Sequence, residues 1–186
     1  MVPDDQLIEA ALQGDSAAFG SLVRKYQDRL YNSVLHVVGS PEDARDVVQD
    51  SFVKAFLKLE TFRRSSAFYT WLYRIAFNTA MSSGRRRRPE RSLDDRHDCG
   101  QDPVDVGAAP GDRLEQEELA CQVRAALETL SDEHRVVIVL RDVDGRGYDE
   151  IAAILELPLG TVRSRLHRAR MQLREQLKPV MQPDRI

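Results

Sequence analysis

Between Ser66 and Asn78 the chain reads "SAFYTWLYRIAFN", and four arginines, Arg85, Arg86, Arg87 and Arg88, follow close behind. Aromatic residues make up only 6% of the sequence, yet Phe68, Tyr69, Trp71 and Tyr73 fall within six positions. A buried core helix accounts for the aromatics but not the arginines. A plain basic tag accounts for the arginines but not the aromatics. Aromatic faces beside positive charge suit unstacked bases on a phosphate backbone. Asn78 adds an amide that can pair with a base edge.

A second constellation lies near the end of the chain, in "YDEIAAILELPLGTVRSRLHRAR". A short helix with Ile151, Ala152 and Leu155 turned inward is followed by a tight break at Leu157–Gly160, then by a longer basic helix. That is the layout of a helix-turn-helix. At 100° per residue, Val162, Leu166, Ala169 and Leu173 share one face of the second helix, and Ser164, His167 and Met171 fall opposite. Arg163, Arg170 and Arg174 flank one side and Arg168 the other. Such a face fits a major groove, where arginine reaches guanine or phosphate. A solvated basic helix is the plainer alternative, and the tight break before it argues against that.

The third surface is acidic. After "SPED", Ala44, Val48, Phe52, Ala55 and Leu59 form a helical core stripe, and Asp46, Gln49, Asp50, Val53 and Leu57 occupy the opposite face. Carboxylates beside exposed aliphatic side chains repel DNA but suit a basic, partly apolar protein surface.

The elements that must carry these residues are helices throughout, since apolar spacing is helical and no period-2 run appears. Asp4 or Asp5 is expected to cap a short first helix ending near Gly14. Asp15 caps a longer one ending near Gly39. Ser40, with Pro41, Glu42 and Asp43 in the first turn, starts a third that runs to about Leu59. The aromatic helix is expected from about Ser66 to Ser83. Pro89–Arg113 holds six Pro or Gly in 25 residues with no apolar period and reads as a linker. As a coil it would span about 25–30 Å. Helical spacing resumes near Leu114, and Ser131 caps a further helix. The fold expected is all-α: two small helical domains, 1–88 and 114–186, joined by a flexible acidic linker, 89–113.

Charge is divided accordingly. The net charge of −3 conceals +7 over residues 61–91, −8 over 92–140 and +2 over 141–186. Two basic patches separated by an acidic middle suit a protein that touches nucleic acid at two points. The N-terminus has neither a basic start nor an apolar core, so no secretory signal is expected. No run approaches the roughly 18 apolar residues of a membrane span. The expected location is the cytoplasm, without membrane insertion, and Cys99 and Cys121 are expected as reduced thiols. No metal-ligand spacing, phosphate-cradling loop or nucleophile–base pair is present. The chain therefore reads as no enzyme, and no cofactor is expected.

Taken together, the three motifs resemble the bacterial extracytoplasmic-function (ECF) sigma factors, the two-domain form of the sigma-70 family. "DARDVVQDSFVKAF" resembles the family's core-polymerase-binding region. "FRRSSAFYTWLYRIAFNTA" resembles its −10 recognition segment, closest to the envelope-stress subgroup, and the helix-turn-helix resembles its −35 reader. Order and spacing match over nearly the whole chain. The resemblance implies that Asp46, Gln49, Asp50, Val53 and Leu57 bind the polymerase clamp helices, with a further contact to the flap. It implies a −10 site of Phe62, Arg63, Arg64, Ser65, Phe68, Trp71, Arg74, Asn78, Arg85, Arg86, Arg87 and Arg88. In that site the loop and Asn78 hold a flipped base while the arginines neutralise backbone. Thr161, Arg163, Ser164, His167, Arg168, Arg170 and Arg174 would serve the −35 element. Core RNA polymerase, promoter DNA and an anti-sigma factor are the partners implied.

Two departures stand out. Arg64 occupies a position where the family often has glycine, and Gly147 one where a serine N-cap is usual. A stand-alone helix-turn-helix repressor remains the alternative; it leaves Phe68–Tyr73 and the Asp46/Asp50 face without a task.

Overall fold

The computed structural model describes residues 2–87 and 110–181. The N-terminal half holds α1 (Asp4–Leu12), α2 (Ser16–Val38), α3 (Pro41–Leu57) and α4 (Phe68–Arg87), with a 3-10 turn at Leu59–Thr61. The C-terminal half holds α5 (Pro110–Glu128), α6 (Asp132–Ile138), a wider π turn over Val139–Val143, α7 (Tyr148–Leu155) and α8 (Leu159–Met181). No strand occurs among the described residues.

The helix starts follow the sequence closely. Asp15 accepts from the Ala17 and Ala18 amides at 2.9 and 3.3 Å. Ser40 accepts from the Asp43 amide at 3.3 Å, with Pro41 in the first turn. Ser131 accepts from the His134 amide at 3.4 Å. Each satisfies an amide that the helix leaves without a partner. Gly39 ends α2 at φ 77°, and a Cβ there would also lie 2.5 Å from a Glu128 carboxylate oxygen. The dihedral favours glycine, and any larger residue would also have to push the Glu128 side chain aside.

Four boundaries differ from expectation, among them the end of α4, which lies at Arg87 rather than near Ser83. Pro3, not Asp4 or Asp5, stands at the start of α1 and offers no side-chain cap; the two aspartates lie inside the first turn, where the helix dipole favours them. Helix α4 begins at Phe68 rather than near Ser66. Helix α5 begins at Pro110, four residues before the expected Leu114, because proline is well suited to a first helical turn. Most of the expected linker, 89–109, lies outside the described residues. Cys121 on α5 is disulfide-bonded, against the expectation of reduced thiols, and Cys99 lies outside the described residues.

Helix α4 is the centre of the N-terminal half and packs against α2 and α3. Phe68, Leu72, Tyr73, Ala76, Phe77 and Ala80 are all buried along it. Burying one such large apolar side chain contributes about 1.5–3 kcal/mol. In the C-terminal half, Val162, Leu166 and Ala169 of α8 are buried, with Leu173 half-buried, as the helical projection expects. They face α5, α6 and α7. On α7, Ile151 and Ile154 are the buried pair, whereas Ala152 and Leu155 are only half-buried.

The halves pack against each other. Helix α7 lies on α4, and α5, α6 and the π turn lie on α2. Arg135 draws the second contact together: its guanidinium donates to the Val37 carbonyl at 2.7 Å and to the Leu127, Glu128 and Leu130 carbonyls at 2.9–3.0 Å. One cation thus serves carbonyls at the end of α2 and around the end of α5, where helices leave acceptors open.

Candidate polymerase- and DNA-binding surfaces

Asp46, Gln49, Asp50, Val53 and Leu57 of α3 are all exposed and fall on one helical stripe. Leu57 is 74% exposed and Val53 53%. Phe56, 47% exposed, extends the patch, with its ring edge-on to Phe19 at 5.0 Å. Sequence reasoning missed Phe56, although its position three residues after Val53 and seven after Gln49 continues the stripe. Three adjacent exposed hydrophobes beside two carboxylates form a surface fit for a protein partner.

On α4, Trp71, Arg74 and Asn78 follow one another at intervals of three and four and so line one side of the helix. Asn78 is exposed; Trp71 and Arg74 are half-buried. The Trp71 ring packs against Phe62 at 5.2 Å and Phe68 at 5.8 Å. Phe68 itself is 3% exposed, wedged among Phe62, Trp71 and Tyr26. It supports the neighbouring rings and offers no face of its own to a base. Arg63, Arg64 and Ser65 are exposed in the loop before α4. Arg64 adopts the left-handed conformation, φ 55°. The loop therefore keeps a shape that glycine adopts freely and makes arginine take it. Arg85, Arg86 and Arg87 belong to the last turn of α4. Arg88 lies outside the described residues.

On α8, Arg163, Ser164, His167, Arg168 and Arg174 are exposed, and Thr161 is half-buried in the first turn. Arg170 is committed locally: it donates to both Asp142 carboxylate oxygens, at 2.5 and 3.1 Å. Donating to this carboxylate raises the arginine's pKa further. Arg165 pairs with Glu133 at 2.7 Å and ties α8 to α6. Glu156 ends α7 in the left-handed conformation, φ 54°, and makes the turn tight. Gly147 has no side chain to cap α7. Instead Glu150 reaches back, its carboxylate accepting from the Gly147 amide at 2.8 Å.

Where the halves meet, a polar network appears that the sequence did not announce. Arg146, 6% exposed, has its guanidinium 4.0 Å from the Tyr69 ring centroid and 5.1 Å from that of Tyr73. Two of its nitrogens, Nε and Nη2, find no hydrogen-bond acceptor. Tyr69 donates to the Glu150 carboxylate, which lies 3.8 Å from Arg146. The Ser33 hydroxyl is 2.8 Å from both Asp144 carboxylate oxygens and 3.1 Å from the Tyr73 hydroxyl. Ser33 has one proton to give, and the Arg29 carbonyl, 2.9 Å away, competes with Asp144 for it. Burial holds the Asp144 carboxyl above its usual range, against the opposing pull of Ser33, Arg146 and Arg29. Burial also pushes the Tyr73 phenol up. Glu150 moves the other way, lowered first by the Tyr69 hydroxyl and then by the Gly147 amide. Finally, Arg74 Nη2 donates to the Ala153 carbonyl at 2.6 Å, and its Nη1 pairs with Glu156 at 2.9 Å.

Comparison with known proteins agrees with this layout. Residues 22–90 match the family model for sigma-70 region 2, and residues 122–173 match that for sigma-70 region 4. The ECF RNA polymerase sigma-E factor of Escherichia coli K12 is 40% identical over 185 residues, 96% of each chain. The RNA polymerase sigma-H factor of Pseudomonas aeruginosa is 37% identical over 184 residues, 96% of this chain and 95% of the relative. Among solved structures, CnrH in complex with the cytosolic domain of CnrY matches with a TM-score of 0.68 at 31% identity, over 94% of this chain and 96% of that one. The sigma factor RpoE in complex with the anti-sigma factor NepR, from Bartonella quintana, also gives 0.68, at 28% identity over 86% of this chain and 96% of that one. A chain with an all-helical fold, an acidic–apolar stripe, an aromatic basic helix and a helix-turn-helix belongs to the sigma-70 family, in its ECF group. Its function is that of an RNA polymerase sigma factor. The region 2 match removes the stand-alone repressor from consideration, since such a protein has no use for it. No helix among the described residues is long and apolar enough to cross a membrane.

Proposed function

We propose that this sigma factor docks on core RNA polymerase through the α3 stripe of Asp46, Gln49, Asp50, Val53, Phe56 and Leu57. The observation that carries this reading is the exposure of that whole stripe on one face of α3. Its carboxylates exclude DNA, and its aliphatic side chains gain nothing until a partner covers them. The basic, partly apolar surface that complements it belongs to the clamp helices, with the flap receiving the C-terminal half. Helix α8 then holds duplex DNA at the −35 element through Arg163, Ser164, His167, Arg168 and Arg174. The α4 stripe and the Phe62–Ser65 loop take a base extruded from the −10 element. Unstacking costs a few kcal/mol and base–aromatic contact returns about 1–3 kcal/mol per base. Capture can therefore bias melting only while polymerase contacts hold the complex.

The functional division we assign is 1–88 for polymerase and −10 contacts and 114–186 for the −35 element. The protein acts in the cytoplasm, carries out no catalysis of its own, and has an anti-sigma factor as its regulator. The naming of two structural neighbours as complexes with CnrY and with the anti-sigma factor NepR supports that last point. The test is transcription from genomic fragments by core polymerase with and without this protein, with permanganate footprinting of the bubble. New promoter-specific transcripts with reactive thymines near −10 are expected. No stimulation over core alone on any fragment overturns the reading.

A further inference from the structure

Helix α1 lies ahead of the segment, 22–90, that matches region 2, yet it is tied to the aromatic face. It packs on α2 and on the 3-10 turn at Leu59–Thr61, whose next residue is Phe62. Its first residue, Asp4, uses both carboxylate oxygens. Oδ1 accepts from the Lys25 ammonium at 2.5 Å, and Oδ2 accepts from the Tyr26 hydroxyl at 2.5 Å. The Tyr26 ring in turn lies 5.7 Å from that of Phe68. We propose that Asp4 is a positioning residue for the −10 face: through the Tyr26 hydroxyl it fixes the ring that backs Phe68, and so sets the Phe62 and Trp71 rings that receive the extruded base. The base-receiving role of those rings rests on the −10 reading given above; the brace behind them does not.

Three rings support one another at this face. Phe68 meets Phe62 edge to face at 5.8 Å and Trp71 at 5.8 Å, and Phe62 meets Trp71 at 5.2 Å. Aromatic pairs attract at such separations. Phe68 is buried, whereas Phe62 and Trp71 are half-buried, so of the three it is these two that present surface to a ligand. Tyr26 is the fourth ring, and it touches Phe68, the buried one of the set. A movement of Tyr26 is therefore passed by Phe68 to both exposed rings. Stacking a base rewards rings that are already in place, and a site left loose by a fraction of an ångström loses much of that benefit.

The chemistry of the tether suits a fixed support. A carboxylate is a stronger acceptor than a neutral oxygen. Lys25 offsets its charge and holds it against α2. The Lys25 ammonium also lies 5.3 Å from the Tyr26 ring centroid, so carboxylate, ammonium and phenol form one compact set. Burial, and then the Asp4 hydrogen bond, push the Tyr26 phenol up, so it stays a donor throughout the neutral range. Without Asp4 the hydroxyl of this half-buried tyrosine turns to water, and packing alone holds its ring. The contact of α1 with the Leu59–Thr61 turn braces the other end of the cluster, where the chain enters Phe62.

Trp71 is the chain's one tryptophan, so its fluorescence reports on the ring cluster directly. The test uses the full chain for Trp71 emission and acrylamide quenching. It uses the holoenzyme for the opening rate of the genomic fragment that gives the strongest promoter-specific transcript. Asp4→Ala is expected to red-shift the emission, to raise the quenching and to slow opening about three- to tenfold. Holoenzyme formation and occupancy of closed duplex in the cold should match the parent, since α3 and α8 are untouched. The melting temperature should fall by no more than about 4 °C. Tyr26→Phe keeps the ring and loses the tether, and should change fluorescence and opening in the same direction; it carries the test if Asp4→Ala fails to fold. Asp4→Asn keeps an acceptor for the hydroxyl and should recover most of the parent rate. Unchanged Trp71 fluorescence in both Asp4→Ala and Tyr26→Phe refutes the brace. Opening as slow in Asp4→Asn as in Asp4→Ala assigns the effect to Lys25 and overturns the path through Tyr26. Altered fluorescence with parent opening rates, while Asn78→Ala does slow opening, refutes the role of the brace in melting. Failure of the −10 reading shows differently: Asn78→Ala then opens the fragment at the parent rate, and the fluorescence change in Asp4→Ala persists.

Discussion

The guanidinium of Arg146 lies 4.0 Å from the centroid of the Tyr69 ring, and this contact joins the helix-turn-helix half to the aromatic helix. Tyr69 sits in the "AFYTW" stretch whose ring faces suit bases. In the packed protein a cation from the same chain takes one of those faces. Under the proposed −10 reading, an extruded base would compete with Arg146 for that ring.

Replacing the ring while keeping its bulk separates these uses. Tyr69→Leu removes the cation–π contact and the hydroxyl donated to Glu150, and should weaken closure by about 1–2 kcal/mol. Tyr69→Phe keeps the ring under Arg146 and should lose about half as much. The readout is the radius of gyration of the free chain at fixed salt. Equal expansion in both variants would mean that the hydroxyl, not the ring face, holds the contact.

The α3 stripe makes a different prediction, because its aliphatic side chains are exposed in the free protein. Leu57 is 74% exposed. Leu57→Ala should leave thermal stability within about 0.5 kcal/mol of the parent, while weakening holoenzyme formation by about 1–2 kcal/mol, a factor of about 5–30. Asp46→Lys with Asp50→Lys should weaken it more, since like charge then faces the basic partner. Competition against a labelled copy of the same protein for core polymerase measures both. Undiminished competition by the lysine pair would remove α3 from the interface.

Much of this was legible in the sequence, for reasons that can be named. Asp15, Ser40 and Ser131 are local signals: a side-chain acceptor reaches an amide two or three residues away, and nothing distant alters that. The α8 faces were legible because one period decides which side is buried. Phe68 was misjudged because the sequence shows a ring without showing which neighbours enclose it; Tyr26, 42 positions earlier, supplies part of the enclosure. The meeting of the halves was illegible altogether. Arg146 and Tyr69 stand 77 residues apart, and neither has a local pattern that names the other. Arg135 carries no periodic or motif signal either, yet it serves four carbonyls at two helix ends.

Arg64 offers a test of backbone against charge. Its left-handed conformation costs arginine roughly 1–2 kcal/mol relative to an unstrained one. Arg64→Gly removes that strain but also frees the unfolded chain, so the net gain should be about 0.5–1 kcal/mol. The same change deletes one exposed cation beside the aromatic helix. Melting temperature should rise while affinity for single-stranded DNA falls and its salt dependence flattens by about one counterion. A fall in melting temperature would show that the Arg64 side chain contributes more to folding than its backbone costs.

Acidity should tighten the closed arrangement, and Asp144 sets the sign. Burial holds its carboxyl above the ordinary 3.8, although Ser33, Arg146 and Arg29 pull it the other way. The closed form therefore takes up a proton at a pH where the open form has not. Closure gains as pH falls through the raised value and gains no more below the ordinary one. Glu150 has the opposite sign: Tyr69 and Gly147 hold its carboxyl below the ordinary 4.5, so its contribution is present above that value and is lost as pH falls through the lowered one. Of these two carboxyls, Asp144 strengthens closure as pH falls and Glu150 weakens it below the ordinary 4.5. The radius of gyration should shrink as pH falls through the raised Asp144 value, and Asp144→Asn should flatten that change. An identical pH response in the parent and the asparagine variant would mean that Asp144 carries none of the coupling between protonation and closure.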